Sequence, residues 1–235
     1  MNVLIIDSTI DRTSWGSADL RESLRLLPDL RITTRRAPEQ DLPESLLPFD
    51  RIVLSGSKTS AQDDSPWVHA LLNLICSAVD LKKPLLGVCF GHQMIARALG
   101  GKRCVRRSST PEVGWSKIQI TQPSDLLREL GSSFYSFSSH FDEVCELPPN
   151  AVALASSERC AIQAFGLQHA PIYGIQFHPE KTPASAEQTF HERRNHRDLP
   201  LLHPKKSQEL YNPEVARRLF THFLTLPVSS GKSHL

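Results

Sequence analysis

Two short segments, far apart in the chain, hold the residue types of nucleophilic acyl chemistry. The first is Gly87-Val-Cys-Phe-Gly91, followed by His92-Gln93. A Gly-x-nucleophile-x-Gly run between an apolar strand and a helix describes a nucleophile elbow. The bend is so tight that the nucleophile takes unusual backbone angles, and the flanking glycines remove side chains that would strike the neighbouring strand and helix. The Cys89 thiol is thereby pushed out at the C-terminal end of the strand, beside a helix N-terminus whose partial positive charge favours thiolate. The bland alternative is a buried cysteine among packing glycines. The second segment is Gly174-Ile-Gln-Phe-His-Pro-Glu180. A cysteine nucleophile needs a base, and the base needs an orienting acceptor. Residues i and i+2 of extended chain point to one side. Glu180 can therefore reach the imidazole of His178 and fix its tautomer, with Pro179 stiffening the link. Alone, His-Pro-Glu reads equally as a solvated strand end; together the two segments are a specific combination.

These residues need elements to hold them, and the chain supplies a repeating strand–helix order. Residues 3–7 are a buried strand of four consecutive apolar residues before Asp7, as suits a parallel sheet covered on both faces. Ser17 can cap a helix in which Leu20, Leu24 and Leu27 recur at helical spacing, ended by Pro28. Strands are predicted at 31–35 and 51–55. Ser65-Pro66 opens a helix with Val68, Leu71, Leu72, Ile75 and Val79 on its buried face. Residues 84–89 form a further strand, which turns into a helix stopped by Gly100-Gly101. This order predicts a parallel, doubly wound sheet. From about 101 to 165 the pattern alternates more, as in Trp115–Ile120 and 151–155, so antiparallel strands are expected on the same sheet or on a satellite. A strand over 173–177 leads into His178. Residues 186–210 are read as a surface helix and loop. Asn212-Pro213-Glu214 opens a last helix with Val215, Leu219, Phe220 and Phe223 as its apolar positions. The expected organisation is one domain over 1–227 and a frayed tail over 228–235.

The combination of motifs resembles the class I (triad) glutamine amidotransferase family, whose marks are a G-x-C-x-G-H-Q elbow and a late H-P-E. Both stand intact here, as Gly87 to Gln93 and His178 to Glu180. Ser139-His-Phe-Asp-Glu-Val144, Glu112-Val-Gly-Trp115 and Cys160–Phe165 look like the branch near the GMP synthetase glutaminase domain. The likeness covers roughly residues 1–182 and the final helix. It implies an α/β fold of three layers, with a mostly parallel, mixed central sheet between helices in the flavodoxin-like manner. It implies attack of Cys89 on a γ-glutamyl amide, His178 relaying a proton to the leaving ammonia or amine, Glu180 as its partner, and hydrolysis of the thioester by water. Backbone N–H groups near Gly56–Ser57 and of Phe90 would hold the oxyanion. Gln93 and the backbone of Ser139, His140 and Phe141 lie where the family holds the α-amino and α-carboxylate ends of the substrate. No cofactor is implied. The expected partners are a small γ-glutamyl substrate and a synthase that receives ammonia. The branch usually shows Ser-Gly-Gly-Pro at the oxyanion loop, whereas here it is Ser55-Gly-Ser-Lys58. That departure leaves room for a γ-glutamyl peptidase or hydrolase; a regulatory subunit without turnover is a third reading.

Composition bounds the rest. A net charge of +2 points to neither nucleic acid nor a membrane surface. No apolar run approaches the roughly 18 residues of a membrane span, and the apolar N-terminus is too short for a signal peptide. The five cysteines, an odd number without metal-type spacing, suit a reduced cytoplasmic protein. No Gly-rich phosphate loop is present, so ATP and NAD are not implied. His92 is read as a structural hydrogen-bonding residue, His140 and Asp142 as substrate-contact or loop residues, and Lys58, Arg106 and Arg107 as solvated charges. The scattered His191, His196 and His203 are not read as metal ligands.

Overall fold

The structure, a computed structural model, describes residues 1–11, 16–25, 29–193 and 200–227. The parallel part of the sheet is built from β1 (Asn2–Asp7), β2 (Arg31–Arg36), β3 (Arg51–Leu54) and β4 (Leu85–Val88). Between them run α1 (Ala18–Leu24), α2 (Pro66–Asp80) and, after β4, α3 (Phe90–Gly100). The chain continues through β5 (Val105–Ile120), β6 (Ser133–Val144), β7 (Ala151–Ser156), β8 (Ala164–Leu167) and β9 (Ile172–Ile175). It ends in α4 (Pro183–Arg193), β10 (Leu201–Leu202), α5 (Ser207–Leu210) and α6 (Pro213–Thr225).

The strands form one mixed sheet in the order β10-β5-β7-β8-β9-β4-β3-β1-β2, with β6 paired to β5. β2, β1, β3, β4 and β9 run parallel, and β5, β7, β8 and β9 are joined antiparallel. Strand period explains the layers. Val3 and Ile5 face one core with Leu20 and Leu24 of α1 and Leu219, Phe220 and Phe223 of α6. Leu4 and Ile6 face the other, with Leu71 and Ile75 of α2 and Met94 and Ile95 of α3. Helices thus cover both faces, as the strand–helix order predicted. On α2 the buried set is Val68, Leu71, Leu74, Ile75 and Ala78, so Leu74 and Ala78 stand where Leu72 and Val79 were expected.

Two regions depart from the reading of the sequence. The strand expected at Trp115–Ile120 is the second half of the long β5, which forms a hairpin with β6 from Val105↔Val144 to Gln119↔Ser133. The pairing shifts between Arg107 and Glu112, where Pro111 lacks the N–H that a regular ladder needs. The stretch 186–210 is more than a surface excursion. Ala186 and Phe190 of α4 are buried in a third apolar cluster with Trp115 and Phe137. β10 adds to the sheet beside Val113 and Gly114, and the Trp115 indole N–H donates to Ser207 Oγ at 2.9 Å. The expected tail, together with Leu27, Pro28 and His196, lies outside the described residues.

Candidate active site

Cys89 joins β4 to α3 with φ 53° and ψ −104°. Such angles store about 1–3 kcal/mol and persist only where the surroundings over-determine them. Here they do. The Cys89 N–H donates to the Ile175 carbonyl at 2.8 Å, and the Gly91 N–H to the Ser55 carbonyl at 3.2 Å. A Cβ on Gly87 would lie 2.4 Å from the Gly91 carbonyl, and one on Gly91 would lie 2.6 Å from the Leu54 oxygen. Both positions therefore demand glycine. The elbow is pinned to β3 on one side and β9 on the other, and the thiol stands at the first turn of α3.

β9 ends at Ile175, and the chain runs on through Gln176 and Phe177 to His178. The His178 N–H donates to the Phe137 carbonyl of β6 at 2.7 Å, an isolated antiparallel bridge that fixes the imidazole over the sheet end. His178 Nδ1 meets Glu180 Oε1 at 2.7 Å. The opposite edge of the ring is turned to Cys89, whose sulfur hydrogen-bonds it. Burial would lower the His178 pKa, but the Glu180 carboxylate and the Cys89 sulfur outweigh burial and raise it to about 10. The carboxylate and the sulfur thus both favour the protonated ring. The sulfur also lies 3.8 Å from the Ser139 carbonyl oxygen.

The other expected residues divide. A Cβ on Gly56 would stand 3.0 Å from His178 Cε1 and 3.5 Å from Cys89 Cβ, so the backbone of this segment borders the Cys89–His178 pair closely. Ser57 follows it, its hydroxyl accepting from the Thr59 N–H at 3.1 Å. The Phe90 amide belongs to the first turn of α3, where N–H groups have no intrahelical carbonyl. Gln93 is nearly buried and donates from Nε2 to the Asp142 carbonyl at 2.7 Å and to Gln176 Oε1 at 3.0 Å. Since a main-chain carbonyl only accepts, the orientation of the amide is fixed, and the end left to a ligand is the acceptor oxygen. The backbone of Ser139 reaches Cys89, but the side chain of His140 turns the other way. Its Nε2 meets Glu112 Oε2 at 2.9 Å and its Nδ1 the Asp142 carbonyl at 3.1 Å. Phe141 carries the guanidinium groups of Arg107 and Arg193 at 4.8 and 5.0 Å from its ring centre.

Sequence reasoning missed the network behind β6. Glu112 also accepts from Ser157 Oγ at 2.8 Å and from Gln163 Nε2 at 2.5 Å. Burial pushes its carboxyl up, but the hydrogen bond and charge of His140 and the hydrogen bond of Ser157 hold it below the usual range. Cys160 beside it is pushed up to about 12, by burial first and by Glu112 second, so this thiol is inert. In the sequence Glu112 and Cys160–Phe165 stand out only as family-like segments; the signal of the network was a polar residue in a strand otherwise buried. His92 is buried against Phe165, with ring centres 4.9 Å apart. Neither ring nitrogen has a hydrogen-bond partner, so the expected hydrogen-bonding role is not seen; burial lowers its pKa to about 3, and it stays neutral. Lys58, Arg106 and Arg107 are exposed and paired with Glu192, Glu143 and Asp142. Among the described residues no group of three or more His, Cys, Asp or Glu side chains could hold a metal, and no helix is long and apolar enough to cross a membrane.

With this geometry in view, comparison with known proteins is direct. The sequence profile of the family described as glutamine amidotransferase class-I matches residues 18–197. One subunit of the glutamine-hydrolysing GMP synthase from Methanococcus aeolicus is 38% identical over 129 residues, which are 55% of this chain and 63% of that protein. The same-named protein of Methanocaldococcus jannaschii is 35% identical over 150 residues, 64% of this chain and 74% of that one. The chain thus spans a little under two thirds of the first of these relatives. In structure, a glutamine amidotransferase of Thermotoga maritima superposes with a TM-score of 0.78 at 22% identity, over 95% of this chain and 96% of the other. A glutamine amidotransferase of Methylobacillus flagellatus gives 0.82 at 24%, over 100% and 98%. At such identities these two likenesses concern the fold, a flavodoxin-like sheet layered between helices.

Proposed function

The chain belongs to the class-I glutamine amidotransferase family, and from that membership and the meeting of Cys89, His178 and Glu180 we propose that it hydrolyses the γ-amide of glutamine to glutamate and ammonia. One observation carries the reading: an imidazole with Nδ1 2.7 Å from Glu180 and its other edge on a thiol set at φ 53°. The imidazolium beside Cys89 supports the thiolate, which attacks the γ-carbonyl carbon. The oxygen becomes an oxyanion facing the backbone amides of Gly56–Ser57 and Phe90, each such donor supplying about 10²–10³ in rate. His178 gives its proton to the departing nitrogen, ammonia leaves, and the γ-glutamyl thioester remains on Cys89. His178, now neutral, takes a proton from water, whose oxygen attacks the thioester and releases glutamate. The free Gln93 oxygen suits the α-ammonium of the substrate. By analogy with relatives named as parts of a GMP synthase, the ammonia would pass to a synthase partner.

A second reading has one observation in its favour. Arg107 and Arg193 both rest on Phe141, two residues from the Ser139 carbonyl that touches the thiol. Ammonia has no use for a cationic rim, whereas a γ-glutamyl peptide leaves with a carboxylate. The test for both is turnover of glutamine and of γ-glutamyl dipeptides, alongside mass spectrometry after a glutamine-mimicking chloroketone. Label on Cys89 alone, glutamate release, and loss of more than about 10³-fold in Cys89→Ala are expected. An unlabelled Cys89 and no release from any γ-glutamyl compound would sink both readings.

A further inference from the structure

Residues 55–65 carry Gly56 and Ser57 and contain no second glycine and no proline to stiffen them. Two buried side chains from elsewhere grip their main chain instead. Arg97 of α3 donates to the carbonyls of Ala61 and Asp63 at 2.7 and 2.6 Å. Asp142 of β6, 5% exposed, accepts through Oδ2 from the Ser60 hydroxyl at 2.6 Å and the Ala61 N–H at 2.7 Å. Its Oδ1 faces Arg107 Nη1 at 3.3 Å. Hydrogen bonds to a carboxylate are the short, strong kind, and here they grip a main-chain amide. The main chain of Asp142 does a second job. Its carbonyl accepts from Gln93 Nε2 at 2.7 Å and His140 Nδ1 at 3.1 Å. One residue therefore ties the loop after β3, the helix that starts at the nucleophile, and the strand whose Ser139 carbonyl touches Cys89.

We propose that Asp142 is a positioning residue for acyl transfer: its carboxylate fixes the Gly56–Ser57 backbone at a set distance from Cys89, supplying the stiffness that a Gly-Pro turn would otherwise give. The inference rests on the proposed function, since an oxyanion arises only when Cys89 attacks a carbonyl. Asp142 touches no reacting atom. It acts through the aim of the loop amides, and donors help in proportion to how well they are held before the charge develops. A misplacement of about 1 Å at a reacting centre can lose about 10²-fold.

Three variants of the whole chain test this, Asp142→Ala, Asp142→Asn and Ser60→Ala, with kcat, KM, thermal midpoint and hydrogen exchange measured together. Asp142→Ala should lower kcat about 30- to 100-fold with KM within about threefold, because the loss falls on the transition state. Exchange in peptides covering 57–62 should quicken at least about tenfold while β4 and α3 keep their protection. Asp142→Asn retains an acceptor oxygen and should return to within about fivefold of the parent, and Ser60→Ala, which removes one of two bonds, should lie between. Should Asp142→Ala fail to fold, the other two variants still order as stated or do not. A kcat equal to the parent, or unchanged exchange over 57–62, overturns the inference while glutamine turnover stands. A parent chain inert toward every γ-glutamyl compound removes the proposed function, and this inference with it.

Discussion

Among the described residues stand two buried histidine–glutamate pairs of nearly the same length, His178–Glu180 at 2.7 Å and His140–Glu112 at 2.9 Å. They differ in what the second ring nitrogen does. In His140 both nitrogens face acceptors, a carboxylate and a main-chain carbonyl, so the ring has no edge free to trade a proton. In His178 the second edge faces the Cys89 sulfur, which hydrogen-bonds it. The surroundings differ accordingly. Glu112 is saturated by Ser157, Gln163 and His140, whereas Glu180 Oε2 is buried without a hydrogen-bond partner. A His–acid pair at sound distance is thus no mark of catalysis. The mark is a ring edge left for chemistry, whereas a ring held by acceptors at both nitrogens belongs to the scaffold.

Replacing each histidine by alanine breaks the comparison most sharply. His178→Ala should lower kcat/KM for glutamine about 10³- to 10⁴-fold and leave the fold in place, because the thiol loses its acid–base partner. His140→Ala should do the reverse. It leaves Glu112 charged and buried with its imidazole partner gone, and breaking such a pair costs about 3–5 kcal/mol. Urea unfolding should show that loss of stability, while the folded fraction keeps far more activity than His178→Ala. Equal losses of activity in the two variants would show that the pairs are not distinct in kind.

A smaller effect separates the pairs by pH. His178 titrates near 6.5 in an unfolded chain and near 10 in the fold. Its raised value favours the folded state fully below about 6.5, and that contribution fades as pH rises through about 10. In the proposed reaction the same proton goes to the leaving nitrogen, so kcat/KM should decline on the alkaline side near the folded value. Glu180→Gln removes the chief charge that opposes burial, and the alkaline limb should move down by at least about 1 unit. Glu112→Gln, which acts on the other pair, should leave that limb in place. Profiles of kcat/KM between pH 6 and 11 decide it; coincident limbs in the parent and Glu180→Gln would contradict the assignment of the titrating group.

Much of this contrast could be read in the sequence, and the reason lies in range. The parallel strands announce themselves through uninterrupted apolar runs such as Val3–Ile6, and the elbow through two glycines in fixed spacing, Gly87 demanded by the first turn of α3 and Gly91 by Leu54 of the neighbouring strand. Glu180 reaches His178 because i and i+2 share a side. Nothing local says that Cys89 meets His178; there the family resemblance stood in for geometry. The β5–β6 hairpin was half invisible because Arg106-Arg-Ser-Ser-Thr-Pro111 reads as a polar loop, although β6 supplies its ladder partners as far as the shift at Arg107. The Glu112 network draws on β5, β6 and the approach to β8, and no periodicity links a carboxylate to a glutamine so far along the chain. Residues 186–210 look solvated by composition, yet Ala186 and Phe190 close the cluster over Trp115 and Phe137.

The exposed ion pairs mark the other end of the scale. Lys58 meets Glu192 at 3.4 Å, joining the loop after β3 to α4, with side chains 66% and 44% exposed. By position it resembles a brace. By energy it is not one, since water screens both charges and two long side chains must be ordered to meet. Lys58→Ala should change unfolding free energy by no more than about 0.5 kcal/mol, and the difference should shrink further in about 0.5 M salt. Denaturant titration at low and high ionic strength measures it. The contrast with the several kcal/mol expected at His140 follows from desolvation alone: a partner removed in water leaves a solvated ion, whereas a partner removed under β5 and β6 leaves a charge with nowhere to go. A loss above about 2 kcal/mol in Lys58→Ala would show instead that the loop is braced from α4 as well as from Asp142 and Arg97.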